Sequence, residues 1–301
     1  MKKWIALSLL SLGLSQAATL ELSGGFGVGN APTGAVLLFG AKVSGLTWIP
    51  GHELELGVTV HTLEATLSRS LSGGPLGFGQ AEVGATLGLN GGFLLKSSLN
   101  GTLGPIAVSA KLEGWTTSRA YLDPFSTLTL DPESTRSADY KAELGGKYRL
   151  ERNTFLTALA KLGADSRLEA GIQRQTPGLE LRAGGVIGGA SKGDLFAVTG
   201  GISTRNSETF TLGLDGLLGL GGNEAAYGVR GSATLYGVLP LSSDLSAYAA
   251  FEPWRRDSES VRYGLTTSTS LPAGNLTLEL AGSANVTLLR ARFALELGGS
   301  E

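Results

Sequence analysis

The chain has 301 residues and a formal net charge of −2, and 46 of its residues are glycine, about twice the usual share. Charged residues make up only 17% and cysteine is absent, which excludes disulfide frameworks, thiolate zinc sites, iron–sulfur clusters and cysteine nucleophiles. With 24 basic against 26 acidic residues, there is no basic field to attract nucleic acid.

Lys2 and Lys3 precede an apolar run from Ile5 to Leu14 and the small-x-small triplet Ser15-Gln16-Ala17. This is the order of a secretory signal peptide, and its apolar core is too short to cross a bilayer as a helix. Residues 1–17 are therefore expected to be cleaved, leaving 18–301 as one domain beyond an inner membrane.

No later run reaches the ~18 apolar residues of a membrane helix. Instead, segments of about 9–13 residues alternate apolar and polar positions with period two, separated by Gly, Asn, Asp, Pro and Ser. They fall at 19–29, 34–46, 52–69, 80–89, 92–104, 106–117, 138–150, 154–163, 166–174, 179–189, 194–204, 208–219, 226–238, 244–252, 259–270, 274–284 and 286–297. Proline has no amide to donate to a ladder. All ten prolines (Pro32, Pro50, Pro75, Pro105, Pro124, Pro132, Pro177, Pro240, Pro253 and Pro272) lie between these segments. Asn90-Gly91-Gly92, Glu151-Arg152-Asn153, Pro177-Gly178 and Arg205-Asn206 read as hairpin turns.

The charges keep to one face. In 138–150, Ala138, Tyr140, Ala142, Leu144, Tyr148 and Leu150 oppose Asp139, Lys141, Glu143, Lys147 and Arg149; near the C-terminus Leu289, Ala291, Phe293, Leu295 and Leu297 oppose Arg290, Arg292 and Glu296. A soluble sandwich points such an apolar face inward, whereas a transmembrane barrel points it at lipid. Segment length favours the barrel, because strands of about 9–11 residues span a bilayer at the usual tilt. A charge on the lipid face costs roughly 2–4 kcal/mol at the midplane, which accounts for this parity.

On these faces and lengths the chain resembles bacterial outer-membrane β-barrels of the porin-like class, over nearly all of 18–301. The resemblance implies an all-β, single antiparallel transmembrane barrel in the bacterial outer membrane. Two features depart from the class: the chain ends Leu297-Gly298-Gly299-Ser300-Glu301 without a terminal aromatic residue, and the segments number seventeen where such barrels have even counts. About sixteen strands are expected, with 12–18 admissible. The phase change near His61 in 52–69 suggests a bulge or corner. Segments 92–104 and 106–117 meet at Gly104-Pro105 with almost no turn, and Phe125–Leu130 is a candidate extra strand.

The polar face is expected to line a lumen with Lys42, Glu53, Glu55, Glu82, Lys96, Lys111, Glu113, Asp139, Lys141, Glu143, Lys147, Arg149, Arg167, Glu169, Glu180, Arg182, Asp215, Arg230, Arg262, Glu279, Arg290, Arg292 and Glu296, together with Glu21. The signs nearly cancel, so this wall implies either a weakly selective water-filled pore or a lumen closed by ion pairs. The long connection 118–137 either folds inward as a constriction, with Arg119, Asp123, Asp131, Glu133 and Arg136 setting its field, or lies on the surface. Tyr140, Tyr148, Tyr227, Phe251 and Trp254 are candidate anchors at the membrane interfaces, with Arg255, Arg256 and Asp257 beside Trp254.

His52 and His61 are the only histidines, so a transition-metal site is not expected, and neither a catalytic constellation nor a cofactor is assigned. Gly25-Phe26-Gly27-Val28-Gly29 is read as strand rather than as a phosphate loop. The expected function is passive diffusion of small polar solutes through an outer-membrane channel; the competing reading is a non-conducting structural or adhesive barrel that binds another envelope component through its loops. The expected partners are membrane lipid and small polar solutes, with no nucleic acid and with homo-oligomerisation left open.

Overall fold

The computed structural model describes residues 18–29, 36–47, 51–73, 77–163, 166–205, 207–239, 243–256 and 258–297. The expected signal peptide 1–17, Pro32, Pro50, Pro75, Asn206, Pro240, Asp257 and the terminal Gly298–Glu301 lie outside the described residues.

Period-two segments bounded by breakers form a single ring of eighteen strands: β1 (Ala18–Gly29), β2 (Val36–Leu46), β3 (His52–Thr59), β4 (Thr62–Ser72), β5 (Phe78–Gly88), β6 (Phe93–Leu103), β7 (Ile106–Trp115), β8 (Asp139–Glu151), β9 (Thr154–Gly163), β10 (Arg167–Gln175), β11 (Leu179–Ala190), β12 (Gly193–Thr204), β13 (Phe210–Gly221), β14 (Glu224–Leu239), β15 (Ser243–Phe251), β16 (Val261–Leu271), β17 (Gly274–Ser283) and β18 (Val286–Leu297). Every strand pairs antiparallel with its chain neighbours, and β1 pairs with both β2 and β18. The seam runs in continuous register from Ala18↔Leu297 to Gly29↔Val286. Closure satisfies the edge groups that an open sheet would leave bare in hydrocarbon. Ala18 and Leu297 lie on one rim, here the terminal rim; the β7–β8 connection lies on the other, the loop rim.

Eighteen lies within the expected 12–18 and two above the central count of about sixteen; the seventeen segments become eighteen because 52–69 is two strands. The phase change there is neither a bulge nor a corner but a hairpin, with Val58 paired to Leu63 across Val60 and His61. Thr59 Oγ1 accepts hydrogen bonds from the amides of His61 (3.1 Å) and Thr62 (2.9 Å). A threonine hydroxyl thus closes a reversal that lacks the usual Gly, Asn or Asp. Gly104-Pro105 is a complete two-residue turn, made possible by Gly104 at φ 59°. Phe125–Leu130 is not a strand: the β7–β8 connection carries a short helix α1 (Arg119–Leu122) and a 3-10 turn (Pro124–Thr127).

Alternation sets the two faces. Leu22, Leu112, Leu144, Phe196, Val198, Leu214 and Leu218 are all exposed on the outside, Val198 by 64%. One residue along, Glu21, Lys111, Glu113, Glu143 and Asp215 lie on the opposite face beside Leu22, Leu112, Leu144 and Leu214. Such an apolar belt is the surface of a barrel standing in lipid. The buried apolar groups lie inside the ring, where segments from the loop rim fold against the wall.

Candidate functional site: the barrel interior and the segment that crosses it

Most of the charges assigned to the polar face meet partners across the strands. Lys42 pairs with Glu55 (2.7 Å), Lys96 with Glu82 (3.6 Å), Arg182 with Glu180 (2.5 Å) and Asp215 (2.9 Å), Arg230 with Asp215 (3.5 Å), Arg290 with Glu279 (2.7 Å), and Arg292 with Glu279 (3.0 Å) and Glu21 (3.6 Å). Lys141 and Lys161 share Glu143, and Arg167 holds Glu169 at 2.5 Å. Others are not drawn into ion pairs. Lys147 stacks over the Phe155 ring at 4.4 Å, and Arg149 donates to the carbonyl of Arg152. Lys111, Glu53 and Glu296 keep the parity of that face without a partner among the described residues.

The connection between β7 and β8 does not lie on the surface. Phe125 and Leu128 pack with Ala281 on β17 and Leu288 on β18, with Leu38 of β2 beside them. Strand β17 is nine places from β8 in a ring of eighteen, so the segment reaches the wall diametrically opposite its own strand. Arg290 lies over the Phe125 ring at 4.0 Å.

The crossing is fixed along its length. At the near end Arg119 pairs with Glu113 (2.6 Å) and Glu133 (3.4 Å), Trp115 Nε1 donates to the Arg136 carbonyl (3.1 Å), and Arg136 pairs with Asp139 (3.0 Å). Midway, Tyr248 Oη donates to the Leu128 carbonyl (2.8 Å) and Arg262 Nε to the Thr129 carbonyl (2.9 Å). On its far flank Asp131 faces Lys161 (3.7 Å), Arg255 (3.7 Å) and Arg167 (4.0 Å). Desolvation in the narrow interior pushes the Asp131 carboxyl up, but Lys161, Arg255, Arg167 and Arg230 overcome it and hold the group well below the usual carboxylate range. Asp123 contributes through its backbone, its carbonyl accepting from Ser126 and its amide donating to the Arg119 carbonyl (2.8 Å).

Trp254 requires a correction. It is not an interface anchor: it is 6% exposed and packs inside the ring against Val186, Ala190, Leu195 and Ala226. The bare backbone of Gly228 admits the indole edge, since a Cβ there would stand 2.9 Å from Trp254 Nε1. Arg255 and Arg167 lie over its ring at 5.0 and 5.7 Å. Arg255 also pairs with Glu252 (2.8 Å), which takes a second bond from Arg262. Arg256 is exposed and donates to the Ala190 carbonyl (3.0 Å). Tyr140, Tyr148, Tyr227 and Phe251 are exposed on the outer face, with the Tyr227 and Phe251 rings 6.0 Å apart. His61, in the β3–β4 turn, packs against Tyr121 of α1 with ring centroids 5.2 Å apart and the planes tilted by 45°.

Between the crossing segment and the wall of β9–β14 lies a cavity of about 370 Å³, lined by Asp131 on one side and by Lys161, Arg167, Arg182, Asp215, Arg230 and Arg255 on the other. Sequence reasoning missed Lys161, whose face alternates poorly because Phe155 and Leu159 also point inward. It missed Glu64 because the hidden hairpin obscured the phase of β4, and it missed Glu252, the last residue of the expected segment 244–252, which lies just beyond the end of β15.

A closed antiparallel ring with a segment folded across its interior defines the architecture. The fold is that of a bacterial porin. Pseudomonas aeruginosa OccK3 (OpdO) superposes with a TM-score of 0.54 at 11% identity, over 96% of this chain and 97% of that one. A triple mutant of the Rhodopseudomonas blastica porin gives 0.51 at 10% identity, over 93% of this chain and 99% of that one. No protein-family model and no curated protein matches the sequence. At such low identity the likeness to these porins is one of architecture, and the chemistry of the interior rests on this chain's own residues.

Proposed function

We propose that the barrel is an outer-membrane channel through which small polar solutes diffuse passively, past a constriction formed by residues 116–138. The observation that carries this reading is the diametric crossing, which divides a wide ring and leaves beside it a water-accessible cavity walled by side chains of both signs. Eighteen strands enclose more space than wall side chains fill. Glu169 and Glu252 also line the cavity, giving four carboxylates against five basic side chains, and this near balance supports weak selectivity, because rings of one sign are what discriminate strongly between ions.

A second reading, a non-conducting barrel, draws support from the same ion pairs, which tie the crossing segment to the wall on several sides. Conductance of the purified protein in a planar lipid bilayer separates the two. Discrete, long-lived channels with modest cation-to-anion discrimination are expected; their absence under conditions in which a known porin conducts would leave the structural reading.

A further inference from the structure

The outward strand faces carry almost no charge, and the little they carry is sorted by rim. They hold two arginines, Arg69 on β4 and Arg174 on β10, and one carboxylate, Asp194 on β12, apart from Glu151 beyond the bulge that ends β8. Both arginines are exposed and lie near the terminal rim, whereas Asp194 is at the start of β12 on the loop rim. Arg152 and Arg205 extend the basic series in the β8–β9 and β12–β13 connections of the terminal rim. No carboxylate pairs with any of these four arginines among the described residues, although Glu151 and Glu208 lie on the same connections.

Outward aromatic residues are denser at the opposite rim, with Tyr148, Phe210 and Phe293 the ones towards the terminal rim among the described residues. Outward Phe39, Phe93, Tyr140, Phe196, Tyr227 and Phe251 all stand within three residues of a strand end on the loop rim. Arg152, Arg174 and Arg205 form one stretch of wall. The Gln175 amide donates to the Asn153 carbonyl (2.8 Å) and the Arg205 amide to the Gly178 carbonyl (3.0 Å), so three successive connections are held side by side.

We propose that Arg69, Arg152, Arg174 and Arg205 form a band that binds the phosphate groups of anionic phospholipids around the terminal rim. The guanidinium fork matches a phosphate with two parallel hydrogen bonds. Its long stem lets Arg69 and Arg174 lie along the apolar wall while their heads reach the headgroup layer. A basic residue near a membrane surface gains from anionic lipid on the order of fivefold in local binding. The inference rests on the reading of the chain as a membrane barrel.

Electron paramagnetic resonance of the protein in phosphatidylcholine bilayers, with spin-labelled phosphatidylglycerol or phosphatidylcholine as probe, tests it. The native protein is expected to restrict phosphatidylglycerol several-fold more than phosphatidylcholine, with the preference falling as salt is raised. R69Q/R152Q/R174Q/R205Q is expected to lose the preference while restricting the same total amount of lipid, and D194N at the other rim to keep it. Equal restriction of both probes by the native protein, or a preference that survives in the quadruple variant, overturns the proposal even if that variant inserts poorly, because the native measurement stands alone. No restricted lipid of either kind overturns instead the membrane reading beneath it.

Discussion

At the scale of single residues, the interior is a set of charges whose partners decide their cost. Arg262 is fully buried and spends its donors on the Glu252 carboxylate and on the Thr129 and Glu259 carbonyls. Replacing one partner of a buried pair strands the other, typically at about 3–5 kcal/mol. Arg262→Met is therefore expected to lower stability by about that amount in urea unfolding from lipid vesicles and to release the midpoint of the crossing segment. Asp131 behaves differently with pH. Its carboxyl is depressed in the folded protein, so the stabilisation it provides is complete above the ordinary carboxylate pKa of about 4 and disappears only as pH falls through the depressed value. Channel conductance is expected to be flat between about pH 7 and pH 5. Asp131→Asn is expected to raise conductance or its fluctuations throughout that range; a variant whose traces match the native ones at pH 7 would remove Asp131 from the docking of the segment.

At the scale of elements, two parts of the chain divide the work. The strands keep apolar and charged side chains on opposite faces, so one-residue displacements have opposite consequences. Val198, near the middle of β12 and pointing outward, is expected to cost about 2–4 kcal/mol when changed to Arg, measured by the same unfolding experiment. Thr199→Arg, one position on and lining the cavity, is expected to cost much less and to shift ion selectivity toward anions. The crossing segment is held at its far end by Phe125 and Leu128 in a small apolar cluster. Phe125→Ser with Leu128→Ser is expected to undock that end and raise single-channel conductance several-fold without loss of strand content by circular dichroism. An unchanged conductance would mean that the segment does not limit the pore.

At the scale of the whole molecule, the ring closes only because eighteen segments share one register scheme and β1 meets β18 without a slip. The strands were legible in the sequence because a two-residue period, long enough to cross a bilayer and free of proline, has few other uses. The strand number was harder to read. A threonine hydroxyl closes the Thr59–Thr62 reversal and leaves no Gly or Asn to mark it, so two strands read as one with a changed phase. Charges on clean strands, such as Glu279 with Arg290 and Arg292, were legible as members of the polar face, because parity is local. Their pairing was not, since it depends on the stagger between strands.

The sequence by itself determined that the chain forms long amphipathic strands, which side of each strand bears charge, and that the chain lacks the residues for thiol or thiolate chemistry. Only the tertiary structure decided where the connections go. Residues 116–138 and Trp254 carry enough polar and turn-forming character to sit on a surface, and nothing local distinguishes an inward from an outward course. Their positions follow from partners distant in the chain: Ala281 and Leu288 for Phe125, Tyr248 and Arg262 for the following carbonyls, Gly228 for Trp254. A strand's face is set by its own alternation, whereas a loop's course is set by the free energy of contacts that exist only once the ring has closed.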